Sequence, residues 1–152
     1  MFPFRRLVAW RRAHALVLHV HEVVERVSRG RYLSLIDQMC RCSMSIAANI
    51  AEGSGQVSGM QFARYLTIAL GSARELDYHV LLARDLGVFS SSDYARLDAR
   101  VDEVCRVLVV LRRRVVERAS ARTRTIRSGQ AGAVNLPSPL SHLSPGPPPT
   151  SR

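Results

Sequence analysis

Four stretches of this sequence repeat apolar residues at intervals of three and four, and this spacing constrains the fold more than any other feature. It places the apolar side chains of each stretch on one side of an α-helix. The positions are Trp10, Ala13, Val17, Val20, Val24 and Val27; Ile36, Met39, Cys40, Ser43, Ile46, Ala47 and Ile50; Phe62, Leu66, Ala69, Ala73, Leu76, Val80 and Ala83; and Leu97, Val101, Val104, Leu108, Leu111 and Val115. The connections between the stretches are short. The pattern therefore predicts an all-α protein, an antiparallel up-down-up-down four-helix bundle.

Glycines and hydroxyl residues mark the expected helix ends. Gly30, Gly53 and Gly87 follow the first three apolar stretches, where glycine commonly ends a helix. Ser58 and Gln61 fit a capping box at the start of the third helix. The glycine-rich turn after the second helix lacks the spacing and the Lys of a phosphate-binding loop. We interpret it as a helix end and a hairpin turn; an anion at the free N–H groups of the third helix is the alternative.

The apolar pattern ends near Ser120, where the composition changes. Six of the seven prolines follow this point, and the first part of the segment is rich in Arg. Such a segment has too few apolar residues to build a core. We therefore predict one folded domain, residues 1–119, followed by a disordered tail, residues 120–152, that is basic first and rich in Pro and Ser later.

Positive charge is concentrated at both ends of the chain. The net charge is +10, and all 22 basic residues are Arg. Residues 1–31 hold seven Arg and two Glu, and residues 106–152 hold nine Arg and one Glu, whereas residues 32–105 hold six Arg and nine acidic residues. In an up-down-up-down bundle the first helix starts at the end of the molecule where the fourth helix finishes.

This topology predicts a cluster of arginines that suits phosphate binding. We call the cluster the basic end and predict that it binds RNA or DNA. Its members are Arg5, Arg6, Arg11, Arg12, Arg112, Arg113, Arg114 and Arg118. The alternative is a solvated surface whose Arg side chains only oppose the dipole of the fourth helix.

Cysteine usage and hydropathy favour a cytoplasmic protein. Cys40, Cys42 and Cys105 form no Cys-x-x-Cys motif, so we expect reduced thiols. The longest uncharged run before the tail is too short to span a bilayer, and the N-terminal region lacks the pattern of a signal peptide. We therefore expect no membrane segment.

No constellation for catalysis, metal binding or cofactor binding is recognisable. Glu75 and His79 are four residues apart, whereas di-iron bundles use Glu-x-x-His pairs together with further Glu residues. Glu52 and Glu75 should lie too far apart along an antiparallel helix pair for joint acid–base catalysis. We therefore predict no catalytic residue, no metal site, no cofactor and no enzyme activity.

A polar stripe runs along the second predicted helix. Gln38, Ser45, Asn49 and Glu52 fall on one narrow face, and the third helix carries small residues around Gly71. The stripe is either a solvent face or a contact between helices or subunits, and the small residues favour a contact. The extra apolar residues outside the core stripe also favour an oligomer. They are Leu16, Val23, Val107, Val109, Val110 and Val116.

Two sequence blocks carry a family resemblance. "QMCRCSMSIAANIAEGSG" and "FARYLTIALGSARELDYHVLLARDLG" resemble the four-helix-bundle proteins encoded in intervening sequences of bacterial large-subunit ribosomal RNA. The resemblance covers roughly Leu7 to Val115, and the chain departs from it at Cys40, Cys42 and Ser43. We call its polar and glycine positions the signature residues and expect an interface or structural role for them. They are Gln38, Arg41, Ser45, Asn49, Glu52, Gly71, Ser72 and Glu75.

This resemblance implies a homopentamer without established enzyme activity. It also implies kinship with the accessory variability protein of diversity-generating retroelements, a basic pentamer that binds nucleic acid and its reverse transcriptase. We therefore predict a non-enzymatic homo-oligomer that binds RNA or DNA as an rRNA- or retroelement-associated factor, with a reverse transcriptase as a further partner. The alternative is an oligomeric protein-interaction scaffold that binds no nucleic acid.

Overall fold

The computed structural model describes the backbone of residues 3–27 and 29–131, and the side chains of residues 3–27 and 30–125. Four α-helices follow a short 3-10 turn, and the described residues include no β-strand. The turn spans Phe4–Arg6, and the helices are α1 (Val8–Glu25), α2 (Arg29–Ser54), α3 (Gly59–Asp85) and α4 (Ser91–Ala131). No described helix is both long and apolar enough to cross a membrane.

The helices pack around one core as a four-helix bundle. α1 and α3 each pack against α2 and α4, and among the described residues the backbones of diagonally opposite helices do not approach each other. This arrangement confirms the predicted fold. The largest fully buried side chains come from all four helices: Leu16, Met39, Ile46, Ile50, Leu66, Leu76, Leu97 and Leu108. The apolar stripes predicted for α3 and for the first half of α4 are buried as expected, except that Phe62 is only partly buried.

The buried face of α1 differs from the predicted stripe. Leu16 and Val23 are each 1% exposed and lie in the core, whereas Trp10 and Val17 are only partly buried. α1 packs against both α2 and α4, so its buried face is broader than a single row of side chains. This face includes Leu16 and Val23, each one residue before a position of the predicted stripe. The prediction that Leu16 and Val23 contribute to an oligomer surface is therefore wrong.

Two predicted helix ends are confirmed by their hydrogen bonds. The Ser58 hydroxyl accepts bonds from the backbone N–H groups of Met60 (3.2 Å) and Gln61 (3.4 Å) at the start of α3. Gly87 follows α3 with a φ of 67°. The Val88 N–H group donates to the Ala83 carbonyl at 2.9 Å, which completes a Schellman motif.

The other two glycines do not end helices. Gly30 lies in the first turn of α2, just before a kink at Tyr32 (φ −117°, ψ 19°). Gly53 is buried inside the last turn of α2, where a Cβ atom would lie 2.6 Å from the Cβ atom of Tyr65 and 2.8 Å from Phe62 Cδ2. Gly53 therefore permits a close approach between α2 and α3. The interpretation of Gly53 as a helix cap is wrong.

α4 continues past the predicted start of the tail. Residues 120–131 are helical, although we expected disorder from residue 120 onwards. This part of the chain holds no proline and is rich in Arg and Ala, which favour helix even without an apolar face. Residues 120–125 are all exposed, so α4 continues beyond the packed core. The predicted Pro- and Ser-rich segment, residues 132–152, lies outside the described residues.

Candidate functional site

The start of α1 lies beside the middle of α4, from Glu103 to Arg114. Arg12 Nε is 3.0 Å from Glu103 Oε1, which joins the two helices by an ion pair. An open groove of about 560 Å³ lies between them, and its lining includes Arg6, Arg106 and Arg114. The arginines at the two ends of the chain thus lie at the same end of the bundle, as the topology predicted. Sequence reasoning missed Arg106, which lines this groove and also forms an ion pair with Asp102.

Individual arginines of the basic end differ in their surroundings. The Arg5 guanidinium lies 5.6 Å from the centre of the Phe4 ring. Arg112 Nε donates a hydrogen bond to Thr67 Oγ1 of α3 at 2.9 Å, and Arg113 Nε is 3.8 Å from Glu117 Oε1. The remaining two predicted members, which are Arg11 and Arg118, are exposed. The basic end therefore faces α1, α3 and solvent rather than forming one flat patch.

The extension of α4 adds positive charge to this end. Arg122 and Arg124 are exposed on helical backbone, and Glu117 is the last acidic residue of the sequence. At 1.5 Å per residue, residues 120–131 reach roughly 18 Å along the helix axis. The Arg-rich arm that we expected to be disordered is thus partly a helical continuation of the basic end.

A row of polar contacts joins the outer edges of α2 and α3, and we call it the polar seam. Tyr65 Oη donates to Glu52 Oε1 at 2.8 Å, and this bond raises the pKa of Tyr65. The hydroxyl oxygens of Ser45 and Ser72 are 2.9 Å apart. Asn49 Nδ2 donates to the Ser45 carbonyl at 2.8 Å and to its hydroxyl at 3.2 Å. These bonds give partners to four half-buried side chains, which are Ser45, Asn49, Tyr65 and Ser72.

The polar seam keeps one antiparallel register along its length. From Glu52 to Ser45 the chain moves back seven residues on α2, and from Tyr65 to Ser72 it moves forward seven on α3. Further along, Gln38 and His79 line the same open groove of about 320 Å³. Glu52 and Tyr65 lie at one end of the seam, and Glu75 is ten residues from Tyr65 on α3, about 15 Å along the helix. Glu52 and Glu75 therefore do not meet, as expected.

A thiol, a carboxylate and an imidazole meet in the middle of the polar seam. One potential ligand atom from each of Cys42, Glu75 and His79 lies within 4.8 Å of the other two. Cys42 is 4% exposed, and burial, reinforced by the Glu75 carboxylate, raises the pKa of its thiol to about 11. The prediction of no metal-ligating set rested on spacing within one helix. It overlooked Cys42, which reaches the other two residues from the neighbouring helix.

The signature residues follow this seam with two exceptions. Six of them contribute to the contacts and the groove described above: Gln38, Ser45, Asn49, Glu52, Ser72 and Glu75. Arg41 is exposed, and Gly71 is exposed with no atom within 4 Å of the position of an added Cβ. Among the described residues, the close helix packing that we expected around Gly71 is therefore not found, and Gly53 has that role instead.

Comparison with known proteins decides the family. The sequence model described as 23S rRNA-intervening sequence protein matches residues 5–110. The chain belongs to the 23S rRNA-intervening sequence protein family. The match covers α1, α2, α3 and the first half of α4, and it ends before the α4 extension. The predicted family membership is thus confirmed, whereas the relation to retroelement proteins stays a prediction.

One solved structure supports the fold of this 23S rRNA-intervening sequence protein family member. It is the 1.70 Å crystal structure of a protein with unknown function from the S23 ribosomal protein family of Bacteroides thetaiotaomicron VPI-5482. The TM-score is 0.63 at 20% sequence identity, with 70% of this chain and 96% of that chain covered. Among proteins with curated descriptions, none matches this sequence.

Proposed function

We propose that the protein is a non-enzymatic homo-oligomer that binds RNA or DNA through its basic end. The observation that carries this proposal is the helical extension of α4, which displays Arg122 and Arg124 beyond the packed core with no acidic residue after Glu117. Arg side chains bind phosphate oxygens in a bidentate manner. The family name refers to the intervening sequence of 23S rRNA, and a role as an accessory factor to ribosomal RNA agrees with a phosphate-binding surface.

Binding through phosphates predicts little dependence on sequence. The described basic end offers flexible, exposed Arg side chains on several faces rather than one element shaped for a groove. We expect a structured RNA and a DNA duplex of equal length to bind with similar affinity, and base changes to have little effect. Fluorescence anisotropy with both labelled probes tests this. No binding of either probe at low salt would contradict the proposal.

Self-association is the second part of the proposal, and the outer face of α3 is the surface that we assign to it. Ile68, Gly71 and Tyr78 recur at helical spacing on this face, and Ile68 and Tyr78 are 46% and 59% exposed. Gly71 leaves the backbone open to close approach, since nothing lies within 4 Å of its added Cβ. Exposed apolar side chains on both sides of a mid-helix glycine are typical of a helix contact between subunits, and Glu75 adds a charged group to this face.

A charged side chain at this face should separate the subunits. We expect Gly71→Arg to convert the oligomer to monomer while the helical circular dichroism spectrum stays unchanged, because Gly71 is exposed and an added Cβ atom has no neighbour within 4 Å among the described residues. Light scattering after size-exclusion chromatography measures the mass. The matched control is Ala99→Arg, at an exposed position of α4. An unchanged oligomer in Gly71→Arg would show that the contact lies elsewhere.

The second candidate function is a protein-interaction scaffold. The groove between α1 and α4 favours it, because Val8 and Val110 line this groove and are 51% and 40% exposed. An apolar groove flanked by arginines suits an acidic peptide with apolar anchors. If the protein binds neither RNA nor DNA at low salt, this function takes the lead. The reverse transcriptase that we predicted as a partner would then be sought by co-purification.

A further inference from the structure

We infer that Cys42, Glu75 and His79 form a binding site for Zn²⁺ in the polar seam. The three side chains offer sulfur, oxygen and nitrogen donors, and one potential ligand atom of each lies within 4.8 Å of the other two. This set is the only such group of three or more among the described residues. The inference is independent of nucleic-acid binding, because the basic end contributes no residue to it.

The geometry needs little adjustment to hold an ion. With Zn–S near 2.3 Å and Zn–N and Zn–O near 2.0–2.2 Å, tetrahedral ligand atoms lie roughly 3.3–3.8 Å apart. Glu75 Oε1 and His79 Nε2 already lie 3.8 Å apart, since the two residues are one helical turn apart on α3. The Glu75 side chain is 56% exposed, so it can rotate to close the remaining distance.

The hydrogen-bond state of His79 leaves its ring available to an ion. Its side chain is 15% exposed, and Nδ1 is buried without a hydrogen-bond partner among the described residues. The distance from Nε2 to Glu75 exceeds that of a hydrogen bond. Neither ring nitrogen is held by a hydrogen bond among the described residues, so Nε2, 3.8 Å from Glu75 Oε1, is free to coordinate an ion. Imidazole is the commonest metal ligand among protein side chains. The His79 imidazole lies at the rim of the groove that Gln38 also lines.

The donor types select the metal. A thiolate and an imidazole favour Zn²⁺ over Mg²⁺ and Ca²⁺, which prefer oxygen ligands throughout. Three protein ligands leave one position of a tetrahedral site open, and the neighbouring groove of about 320 Å³ gives solvent access to it. Cys42 comes from α2 and the other two ligands from α3, so the ion would link the two helices across the polar seam.

Zn²⁺ titration of the full chain against a chromophoric chelator tests the site. We expect one ion per chain, and roughly 100-fold weaker binding in Cys42→Ala and in His79→Gln, since even outer-shell changes cost 10–100-fold. Cys105→Ala is the matched control, because Cys105 is a half-buried thiol outside the cluster. Its affinity should equal that of the unchanged protein.

Cobalt spectroscopy adds a readout that a structural role alone would not give. Co²⁺ bound by the Cys42 thiolate should produce a charge-transfer band in the near ultraviolet, present in Cys105→Ala and absent from Cys42→Ala. Helical circular dichroism of each variant checks folding, and His79→Gln supplies a second test should Cys42→Ala fail to fold. No Zn²⁺ binding, or equal binding in folded Cys42→Ala or His79→Gln, would overturn the inference.

Discussion

Replacing Arg114, Arg118 and Arg122 together by Gln should weaken nucleic-acid binding on the order of 100-fold near 100 mM salt. The three residues follow one another at intervals of four on α4, so they share one side of the helix where it leaves the core. Each phosphate contact that is lost should lower the slope of log affinity against log salt by about 1. Binding titrations at four or more salt concentrations measure both quantities.

A second triple variant separates this effect from net charge. Arg31, Arg74 and Arg100 are exposed and lie outside the basic end, and their replacement by Gln changes the net charge equally. We expect less than a threefold change in affinity for this control, because a solvent-exposed charge beyond a Debye length of about 10 Å is largely screened. Equal losses in both variants would mean that the basic end has no special role.

Gly53→Ala should destabilise the bundle by about 1–3 kcal/mol, as overpacking typically does. The added Cβ atom would lie 2.6 Å from Tyr65 Cβ, a backbone-anchored atom that cannot move without displacing α3. The displacement would also strain the hydrogen bond from Tyr65 to Glu52. Urea unfolding at fixed protein concentration gives the free energy of unfolding, with the concentration fixed because self-association contributes to stability.

Gly71→Ala provides a matched comparison of opposite sign. This glycine is also inside a helix, but no atom lies within 4 Å of its added Cβ. At concentrations low enough that the chain does not self-associate, we expect a gain of up to about 1 kcal/mol in its free energy of unfolding, because Ala has the higher helix propensity and the proposed subunit contact at Gly71 is then absent. A Gly53→Ala variant as stable as the unchanged protein would contradict the close approach of α2 and α3.

Local sequence patterns predicted the features that depend on one helix at a time. The apolar spacing identified the buried positions of α3, and the Ser58 and Gly87 signals identified both of its ends. These features follow from helical periodicity and from capping chemistry, which act over a few residues. The family resemblance covered the same part of the chain that the family match spans.

Features that join two helices were missed or misread. Gly53 resembles a helix end in sequence, and only the position of Tyr65 on α3 shows that it permits close packing. Cys42, Glu75 and His79 come together through the register of α2 against α3, which no spacing within one helix reveals. Glu52 and Ser45 are seven residues apart on α2, and their partners Tyr65 and Ser72 are seven residues apart on α3. This equal spacing of polar residues on the two helices is the sequence signal that would have revealed the register.

The extent of α4 was misjudged for a different reason. The loss of apolar residues after residue 119 was interpreted as the end of the helix, but an exposed helix needs no apolar face to continue. Arg and Ala favour helix there, and no proline interrupts the backbone through Ala131. This error matters for function, because it turns a predicted flexible arm into a helical display of arginines.

The most direct measurement is the salt dependence of RNA binding by the full chain and by a chain that ends at Ala119. Every buried core residue of the described part of the chain lies before this point, so we expect the shortened chain to keep the bundle. Four arginines follow it in the sequence, and we expect the slope to fall by about two to four while binding persists through the remaining basic end. Binding that is insensitive to salt, or absent from both chains at low salt, would contradict nucleic-acid binding through the basic end.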